Sequence, residues 1–290
     1  MSCFRKFCPV RSKEILTLNL KKKKTMLDKF GRNINYLRIS VIDRCNLRCD
    51  YCMPKNNIQW LRHEDILAYE EIVATVKVAS KLGIKKIRLT GGEPLMRKNI
   101  VELVRMLAAI EGINDFAMTT NGTLLATFAQ QLKQAGLHRV NISLDTLDAQ
   151  KFYRLTGGGK IQQVMAGIIA ARKYGLDPIK INCVVTENST QDIKLMRAFA
   201  AKNNLLVRFI PLMNLKTGKF SVIQGSGGGD CQNCNRLRLL SNGSIRPCLF
   251  SDLEFNIRKL GIETALHQAI AHKPKNGRPC NNEWMYNIGG

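Results

Sequence analysis

Short apolar runs alternate with amphipathic stretches along the middle of this 290-residue chain. The runs predict strands over 36–42, 86–90, 114–119, 138–144, 179–185 and 205–210. The stretches between them predict helices over 66–82, 98–110, 123–135, 148–174 (interrupted by glycines at 157–159) and 190–203. Alternating strands and helices form parallel sheets with right-handed crossovers. We therefore expect an α/β fold, either an open doubly wound sheet or most of a (β/α)8 barrel, with the active site at the carboxyl ends of the strands.

Six of the ten cysteines fall into two groups of three. The first group, Cys45, Cys49 and Cys52, directly follows the first predicted strand. A structural zinc ion needs four ligands, and the next His or Cys is His63. A cubane iron–sulfur cluster accepts cysteine thiolates, and three of them leave one iron open. The C-x3-C-x2-C spacing, with Tyr51 before the last cysteine, resembles the cluster loop of radical S-adenosylmethionine (SAM) enzymes.

Polar turns follow the next three predicted strands. They are the TGGEP turn at 90–94, the TTNG turn at 119–122 and Ser143-Leu144-Asp145. Paired glycines let the backbone approach a ligand closely. Radical SAM enzymes hold the methionine amino group of SAM with such a GGEP turn, so this resemblance strengthens the interpretation of the cysteine loop.

Three cations lie inside apolar strand segments: Arg38, Arg88 and Lys180. A buried charge is costly unless it has a partner. Side chains from neighbouring parallel strands would line one cavity, which would suit a phosphorylated ligand. The alternative is that each lies at an exposed position of an edge strand.

The second cysteine group follows the glycine-rich segment 225–229 and comprises Cys231, Cys234 and Cys248. The Asn242-Gly243 pair predicts a hairpin that returns Cys248 to the other two. On the strand before it, Arg236 and Arg238 would point to the same side and suit a polyphosphate. Two alternatives remain open: a zinc site completed by His267, His272 or Cys280, and an ordinary solvated basic strand.

Together these motifs resemble the GTP 3′,8-cyclase (MoaA) family of molybdenum cofactor biosynthesis. The resemblance runs from about Met26 to Gly290 and rests on the Cys45 loop, GGEPLMR, TTNG, Arg208-Phe-Ile, the C-x2-C-N-R-x-R-L segment and the terminal Ile-Gly-Gly. It implies a partial (β/α)6 barrel over 26–213. A small α+β cluster-binding region would follow over 214–290, with a Gly-Gly tail that enters the active site. It also implies two 4Fe–4S clusters and SAM as cofactors.

The resemblance further implies roles for individual residues. Cys45, Cys49 and Cys52 would hold the first cluster, with Arg38 also in the catalytic set; Cys231, Cys234 and Cys248 would hold a second cluster that anchors guanine. The SAM contacts would be Tyr51, Gly92, Ser143 and Met213, and the GTP contacts Arg38, Arg88, Thr119, Lys180, Arg236, Leu237 and Arg238.

The implied reaction is the radical cyclisation of GTP to (8S)-3′,8-cyclo-7,8-dihydroguanosine 5′-triphosphate. A low-potential electron donor would supply the reducing equivalent, and a downstream cyclic pyranopterin monophosphate synthase would consume the product. A homodimer is compatible with the sequence.

Two features depart from the family pattern. Pro211 replaces the glutamate of the Arg-Phe-Ile-Glu-x-Met motif, and only eighteen positions separate Met213 from Cys231, where the family has a helix and a further strand. We place the missing piece around 214–217 and expect a weakened or misplaced C-terminal region. A radical SAM enzyme acting on a peptide and a non-catalytic relic are therefore retained as alternatives.

The net charge of +23 is scattered along the chain, and part of it lies in residues 1–25. We expect this leader to be a disordered basic extension; a mitochondrial transit peptide is the alternative. No nucleic-acid-binding motif accompanies the charge, so no nucleic acid partner is expected. No apolar run approaches the roughly 20 residues that span a bilayer. We therefore expect no membrane association and a cytoplasmic location.

Overall fold

The computed structural model describes residues 26–54, 56–223, 227–281, 284–286 and 288. The predicted leader and Gly-Gly tail lie outside these ranges. The strands are β1 (Tyr36–Ser40), β2 (Lys86–Thr90), β3 (Asp115–Thr120), β4 (Arg139–Ser143), β5 (Lys180–Val185), β6 (Leu206–Pro211), β7 (Arg236–Leu239), β8 (Ser244–Arg246) and β9 (Phe255–Asn256). The α-helices are α1 (Tyr69–Leu82), α2 (Ile100–Ala108), α3 (Leu125–Gln134), α4 (Ala149–Thr156), α5 (Ile161–Lys173), α6 (Thr190–Lys202), α7 (Ile257–Leu260) and α8 (Ile262–Ala271). None of the helices in the described ranges is long and apolar enough to cross a membrane.

The strands form one sheet in the order β6-β5-β4-β3-β2-β1-β7-β8-β9. From β1 to β6 every pair of neighbours is parallel and consecutive in the chain. This is the topology of a partial (β/α)6 barrel, which the described strands do not close by hydrogen bonds. This topology confirms the predicted α/β fold class. The class could be predicted because the hydrophobic pattern of the sequence follows the alternation of strands and helices.

Side-chain alternation divides each strand between the helical layer and the barrel interior. On β1, Leu37 and Ile39 are fully buried in the main hydrophobic core. Tyr36 and Arg38 occupy the alternate positions and line an interior cavity. The barrel interior therefore carries polar and charged side chains, whereas the core lies between sheet and helices.

The predicted glycine interruption separates α4 from α5. Gly157 ends α4 in the left-handed conformation, with φ of 66°. A Cβ at Gly159 would lie 2.9 Å from a methyl carbon of Leu47, within the first cysteine loop. The break therefore brings the α4–α5 connection against the cysteine loop.

The C-terminal part of the chain extends the same sheet. β7 pairs in parallel with β1, and β8 pairs antiparallel with β7, which confirms the predicted hairpin. β9, α7 and α8 were not predicted. Leu266 and Ile270 of α8 are buried in the main core. The sequence predictions treated this region mainly as a carrier of cysteines and missed its helices.

The shortened connection after β6 forms a tight turn. Asn214 and Lys219 pair as an antiparallel bridge, and Leu215 between them is buried in a second, smaller core. Gly218 has φ of +69°, and a Cβ there would lie 2.8 Å from the main-chain nitrogen of Pro279. Pro211 ends β6, an outer strand of the described sheet, where a missing N–H is tolerated. The weakened or misplaced C-terminal region expected from the short connection stays a prediction.

Candidate active site

The first cysteine group lies on the loop that follows β1. The main-chain nitrogen of Cys52 donates to the carbonyl of Cys49 at 2.9 Å, which closes a turn between two of the thiols. All three cysteines are half-buried and form no disulfide. Burial raises the pKa of Cys49, and the charges of Cys52 and Asp145 raise it further. Burial also raises the pKa of Cys52 to about 12. As thiolates they therefore need a cationic partner.

The GGEP turn after β2 is hydrogen-bonded to this loop. The main-chain nitrogens of Gly92 and Glu93 donate to the carbonyls of Ile42 (2.8 Å) and Arg44 (2.9 Å). A Cβ at Gly92 would lie 2.1 Å from the Arg44 carbonyl oxygen. Only glycine fits this approach, which explains why the predicted SAM-contacting residue has no side chain.

A buried carboxylate joins the GGEP turn to the TTNG turn after β3. Glu93 accepts hydrogen bonds from the Thr120 hydroxyl at 2.7 Å and the Asn121 main-chain nitrogen at 2.6 Å. Burial raises the pKa of Glu93 to about 7. The side-chain nitrogen of Asn121 lies 3.7 Å from the Cys45 sulfur. Glu93 belongs to the GGEP motif and Asn121 to the TTNG motif, but the sequence analysis assigned neither residue a role.

The remaining predicted SAM contacts are Tyr51 in the cysteine loop, Ser143 at the end of β4 and Met213 after β6. The Tyr51 hydroxyl donates to Asp145 at 2.6 Å, and the main-chain nitrogen of Val184 donates to the other carboxylate oxygen at 2.8 Å. Ser143 ends β4 directly opposite Asn182 on β5. Met213 follows β6 and lines the interior cavity.

The strand register aligns three of the predicted GTP-binding arginines. Arg38 on β1 lies opposite Arg88 on β2 and opposite Arg238 on β7. All three guanidinium groups face the same cavity. Burial, together with repulsion between neighbouring arginines, lowers the pKa of each to about 10.

Tyr36 lies among these cations. Its ring centroid is 5.4 Å from the Arg88 guanidinium carbon and 5.9 Å from that of Arg236. Burial would raise the pKa of the Tyr36 hydroxyl, but Arg88, Arg38, Arg236 and Arg238 outweigh burial and lower it. Sequence analysis missed Tyr36 because an aromatic residue opening a strand is unremarkable by pattern.

The interior cavity has a volume of about 450 Å³, within the range of small-molecule sites. Its lining includes Arg38, Arg88, Lys180, Met213, Arg236, Arg238, Cys231, Cys234 and Cys248 from the sequence predictions. Arg139, Asn182 and Arg208 also line it and were not predicted. Burial and the charge of Arg208 lower the pKa of Lys180 to about 8.

One sequence expectation about the cavity needs correction. The predicted site residues do not all lie at the carboxyl ends of the strands, because Lys180 opens β5 and Arg88 lies in the middle of β2. Inward-facing positions recur along a whole strand, so the cavity extends toward the strand starts. Leu237 is fully buried in the core, so its side chain cannot face this cavity. Its role as a GTP contact would have to come from its backbone.

Other predicted residues are not among those lining this cavity: Cys45, Cys49, Cys52, Tyr51, Gly92, Thr119 and Ser143. The Thr119 hydroxyl and the Asn182 amide oxygen are buried without a hydrogen-bond partner in the described part of the chain. The C-terminal segment links the two places, since Met285 lines the cavity and its nitrogen donates to the Cys52 carbonyl at 3.1 Å.

Cations surround the second cysteine group. The Arg32 guanidinium donates to the Cys231 carbonyl at 2.7 Å and forms a buried ion pair with Asp28 at 2.6 Å. Burial raises the pKa of Cys234, but Lys273 and the backbone of Arg236 outweigh it and lower that pKa. Burial raises the pKa of Cys248, and Lys273 opposes the rise.

The donor sets fit iron–sulfur clusters better than zinc. Zinc holds its ligand atoms at about 2.0–2.3 Å from one point, whereas the thiolates of a four-iron cluster bind different irons. Within the described ranges, no three His, Cys, Asp or Glu side chains form a group that could hold a single ion. Of the suggested zinc ligands, His272 stacks on Phe255 with ring centroids 5.3 Å apart, and His267 lies 3.7 Å from Glu263.

The barrel and its three-cysteine loop define a class of protein. The family model described as the Radical SAM superfamily matches residues 39–199, more than half of the chain. A solved structure of Streptococcus suis SuiB bound to precursor peptide SuiA has a TM-score of 0.66 at 17% identity, covering 85% of this chain and 67% of that one. At that identity the likeness shows the fold alone.

Curated relatives narrow the class. A GTP 3′,8-cyclase of Thermodesulfovibrio yellowstonii is 44% identical, covering 81% of this chain and 88% of its own length. One from Peptoclostridium acidaminophilum is 41% identical, covering 92% and 99%. The chain belongs to the GTP 3′,8-cyclase family of radical SAM proteins.

The same alignments reveal a gap in this chain. The first runs over 282 positions but uses 81% of the 290 residues, about 235, so about 47 positions of the relative have no counterpart here. This agrees with an internal piece being absent from this chain, as its short Met213–Cys231 spacing predicts.

Proposed function

We propose that this protein catalyses the radical SAM cyclisation of GTP to (8S)-3′,8-cyclo-7,8-dihydroguanosine 5′-triphosphate. One observation carries the proposal: Arg88, Arg38 and Arg238 lie in register on three neighbouring strands and face one cavity. Parallel strands lie about 4.8 Å apart, so these like charges repel one another inside the barrel. A ligand with several negative charges relieves that repulsion.

The cavity chemistry favours a nucleoside triphosphate. Planar guanidinium groups match phosphate oxygens in pairs. Arg236 and Lys180 add cations at other points of the wall, and Asn182 offers a buried amide oxygen without a partner in the described ranges. A peptide substrate would need a long groove, which a cationic cavity of about 450 Å³ does not provide.

We assign the first cysteine loop to a 4Fe–4S cluster held by Cys45, Cys49 and Cys52. With SAM bound, such a cluster supplies a 5′-deoxyadenosyl radical that can remove the 3′ hydrogen of GTP. The chain's own part is positioning: the Gly92 turn is hydrogen-bonded to the cysteine loop, which would bring its backbone close to SAM, and Tyr51 is held by Asp145. The network from Glu93 to Asn121 fixes the surroundings of Cys45.

We assign the second cysteine group to a further cluster facing the guanine end of GTP. Cys231, Cys234 and Cys248 line the same cavity as the arginines. A nucleotide whose phosphates contact Arg38 and Arg88 would therefore share this cavity with a cluster held by the three cysteines. A low-potential electron donor and a downstream enzyme that converts the cyclic nucleotide complete the proposed context.

Anaerobic reconstitution followed by product analysis tests this function. With SAM, dithionite and GTP, we expect 5′-deoxyadenosine and the cyclic nucleotide in equal amounts. GTP deuterated at C3′ should transfer deuterium to the deoxyadenosine. Deoxyadenosine release that GTP does not influence, with no cyclic nucleotide, would contradict the cyclase and favour a different substrate. Absence of SAM cleavage despite an assembled first cluster would favour the non-catalytic relic.

A further inference from the structure

Lys273 is a buried lysine directly beside the second cysteine group. It comes two residues after the end of α8, and only 1% of its surface is exposed. Its ammonium group donates to the main-chain carbonyls of Arg236 and Pro247, both at 2.7 Å. No sequence pattern marked it, since Lys273-Pro274-Lys275 reads as a solvated basic turn.

The two carbonyls that Lys273 contacts belong to the chain segments that carry Cys234 and Cys248. Arg236 opens β7 two residues after Cys234, and Pro247 directly precedes Cys248. The ammonium therefore ties together the two chain segments that carry the cysteines. The charge of the ammonium also acts on the Cys234 sulfur and lowers the pKa of that thiol.

Two neutral carbonyls do not balance a buried positive charge. The groups whose charges act most strongly on Lys273 include the sulfurs of Cys234 and Cys248 and the guanidinium of Arg32. Of these, only the sulfurs can be negative. Their anionic form, as cluster ligands, is therefore the natural counter-charge of Lys273.

We propose that Lys273 is a positioning residue of the second cysteine group, which holds Cys234 and Cys248 for the cluster and fixes one positive charge beside it. This inference rests on the proposed function, because it takes the second group to be a cluster site. Net charge and hydrogen bonds to the sulfurs set cluster potentials. A fixed cation favours the more negative reduced form, so Lys273 raises the reduction potential of the second cluster.

The test separates the charge of Lys273 from its hydrogen bonds. Lys273→Gln keeps two N–H donors but removes the charge, Lys273→Met removes both, and Lys273→Arg keeps the charge. Lys275→Gln is the matched control, because this substitution removes the same charge from an exposed lysine two residues away. All variants are made in the full chain with Cys45, Cys49 and Cys52 replaced by Ala, so that the spectroscopic signal belongs to the second cluster.

Iron content and an EPR-monitored redox titration are the readouts. We expect Lys273→Gln to retain its iron while its reduction equilibrium shifts about tenfold toward the oxidised form, about 59 mV for one electron. Lys273→Met should show the same shift and lose iron to a chelator about tenfold faster. Lys275→Gln should match the parent in both measurements.

An unchanged potential in an iron-loaded Lys273→Gln protein would overturn the proposal. If Gln and Met both lose the iron, Lys273→Arg must restore it, and failure to do so would also overturn the proposal. The unsubstituted chain distinguishes failure of the underlying function: if it binds about four irons instead of about eight after reconstitution, no second cluster exists and both inferences fall.

Discussion

The two cysteine groups have the same three donors in opposite electrostatic surroundings. Beside the first lie carboxylates: the charge of Asp145 acts on Cys49, and that of Glu93 acts on Cys45. Beside the second lie cations, with Lys273 acting on both Cys234 and Cys248. Negative neighbours disfavour the reduced form of a cluster and positive neighbours favour it. The surroundings therefore suit the first group to a strong reductant and the second to an anionic substrate.

The groups also differ in how the chain holds them. Backbone hydrogen bonds and the close approach of Gly92 fix the first loop. Side chains from distant parts of the sequence fix the second, with Arg32 bonded to the Cys231 carbonyl and Lys273 to the Pro247 carbonyl. The first arrangement belongs to the matched superfamily segment, 39–199, and the second lies outside it. The cysteine loop within the superfamily segment and the second cysteine group outside it are thus held by separate sets of contacts.

The largest expected effect comes from removing one thiol from each group. Cys49→Ala should reduce 5′-deoxyadenosine release to background, because the first cluster loses a ligand. Cys234→Ala should retain SAM cleavage but lose the cyclic nucleotide. Chromatography of deoxyadenosine and nucleotide products from the two reconstituted variants checks this. Loss of SAM cleavage in both variants would contradict the prediction that only the first cysteine group is needed for that step.

A smaller effect is expected from disturbing the backbone contact at the first group. Gly92→Ala should lower the free energy of unfolding by about 1–3 kcal/mol, because the new Cβ meets the Arg44 carbonyl. Urea unfolding of the cluster-free chain measures this. Gly31→Ala is the control: its φ is +76° but no described atom lies within 4 Å of the new Cβ, so it should lose only about 1–2 kcal/mol.

Gly92→Ala should also weaken SAM binding while leaving the iron of the second group in place. Equal iron loss at both groups would show that the backbone contact supports the whole molecule and not the first site alone.

The smallest effect concerns the cavity between the groups. The pKa of Lys180 is lowered to about 8, first by burial and then by Arg208. As the pH rises through about 8 the ammonium loses its charge, so GTP affinity should fall by up to about tenfold per pH unit. Calorimetric titration of GTP between pH 7 and 9.5 measures the fall. Lys180→Arg should flatten it because arginine stays charged; an equally steep fall in that variant would assign the titration elsewhere.

Much of the fold follows from local sequence patterns. The six parallel strands and the helices between them were predicted, because hydrophobic periodicity and glycine stops act over short distances. Cysteine spacing identified both cysteine groups, and the alternation of side chains along a strand predicted the shared face of Arg236 and Arg238. α8 was missed although Leu266 and Ile270 are four residues apart and lie on one buried face of the helix.

The site was only partly predictable. The strand cations Arg38, Arg88 and Lys180 pointed to an anion cavity. Arg139 and Tyr36 gave no local signal, and Arg208 was quoted only as part of a family motif, but all three line the cavity as well. Their positions depend on which strands become neighbours and in what register, and no short segment encodes that.

By itself, the sequence determined the kind of chemistry available: two sets of three thiols, a glycine turn that admits a ligand, and cations on inward strand positions. Only the tertiary structure decided which charges meet. The pairing of β7 with β1 aligns Arg238 with Arg38, two hundred residues away, and the segment after α8 buries Lys273 against the carbonyls of Arg236 and Pro247, next to the second cysteine group. Electrostatic energies depend on distance and burial, which the sequence order leaves open until the sheet register and the core packing set them.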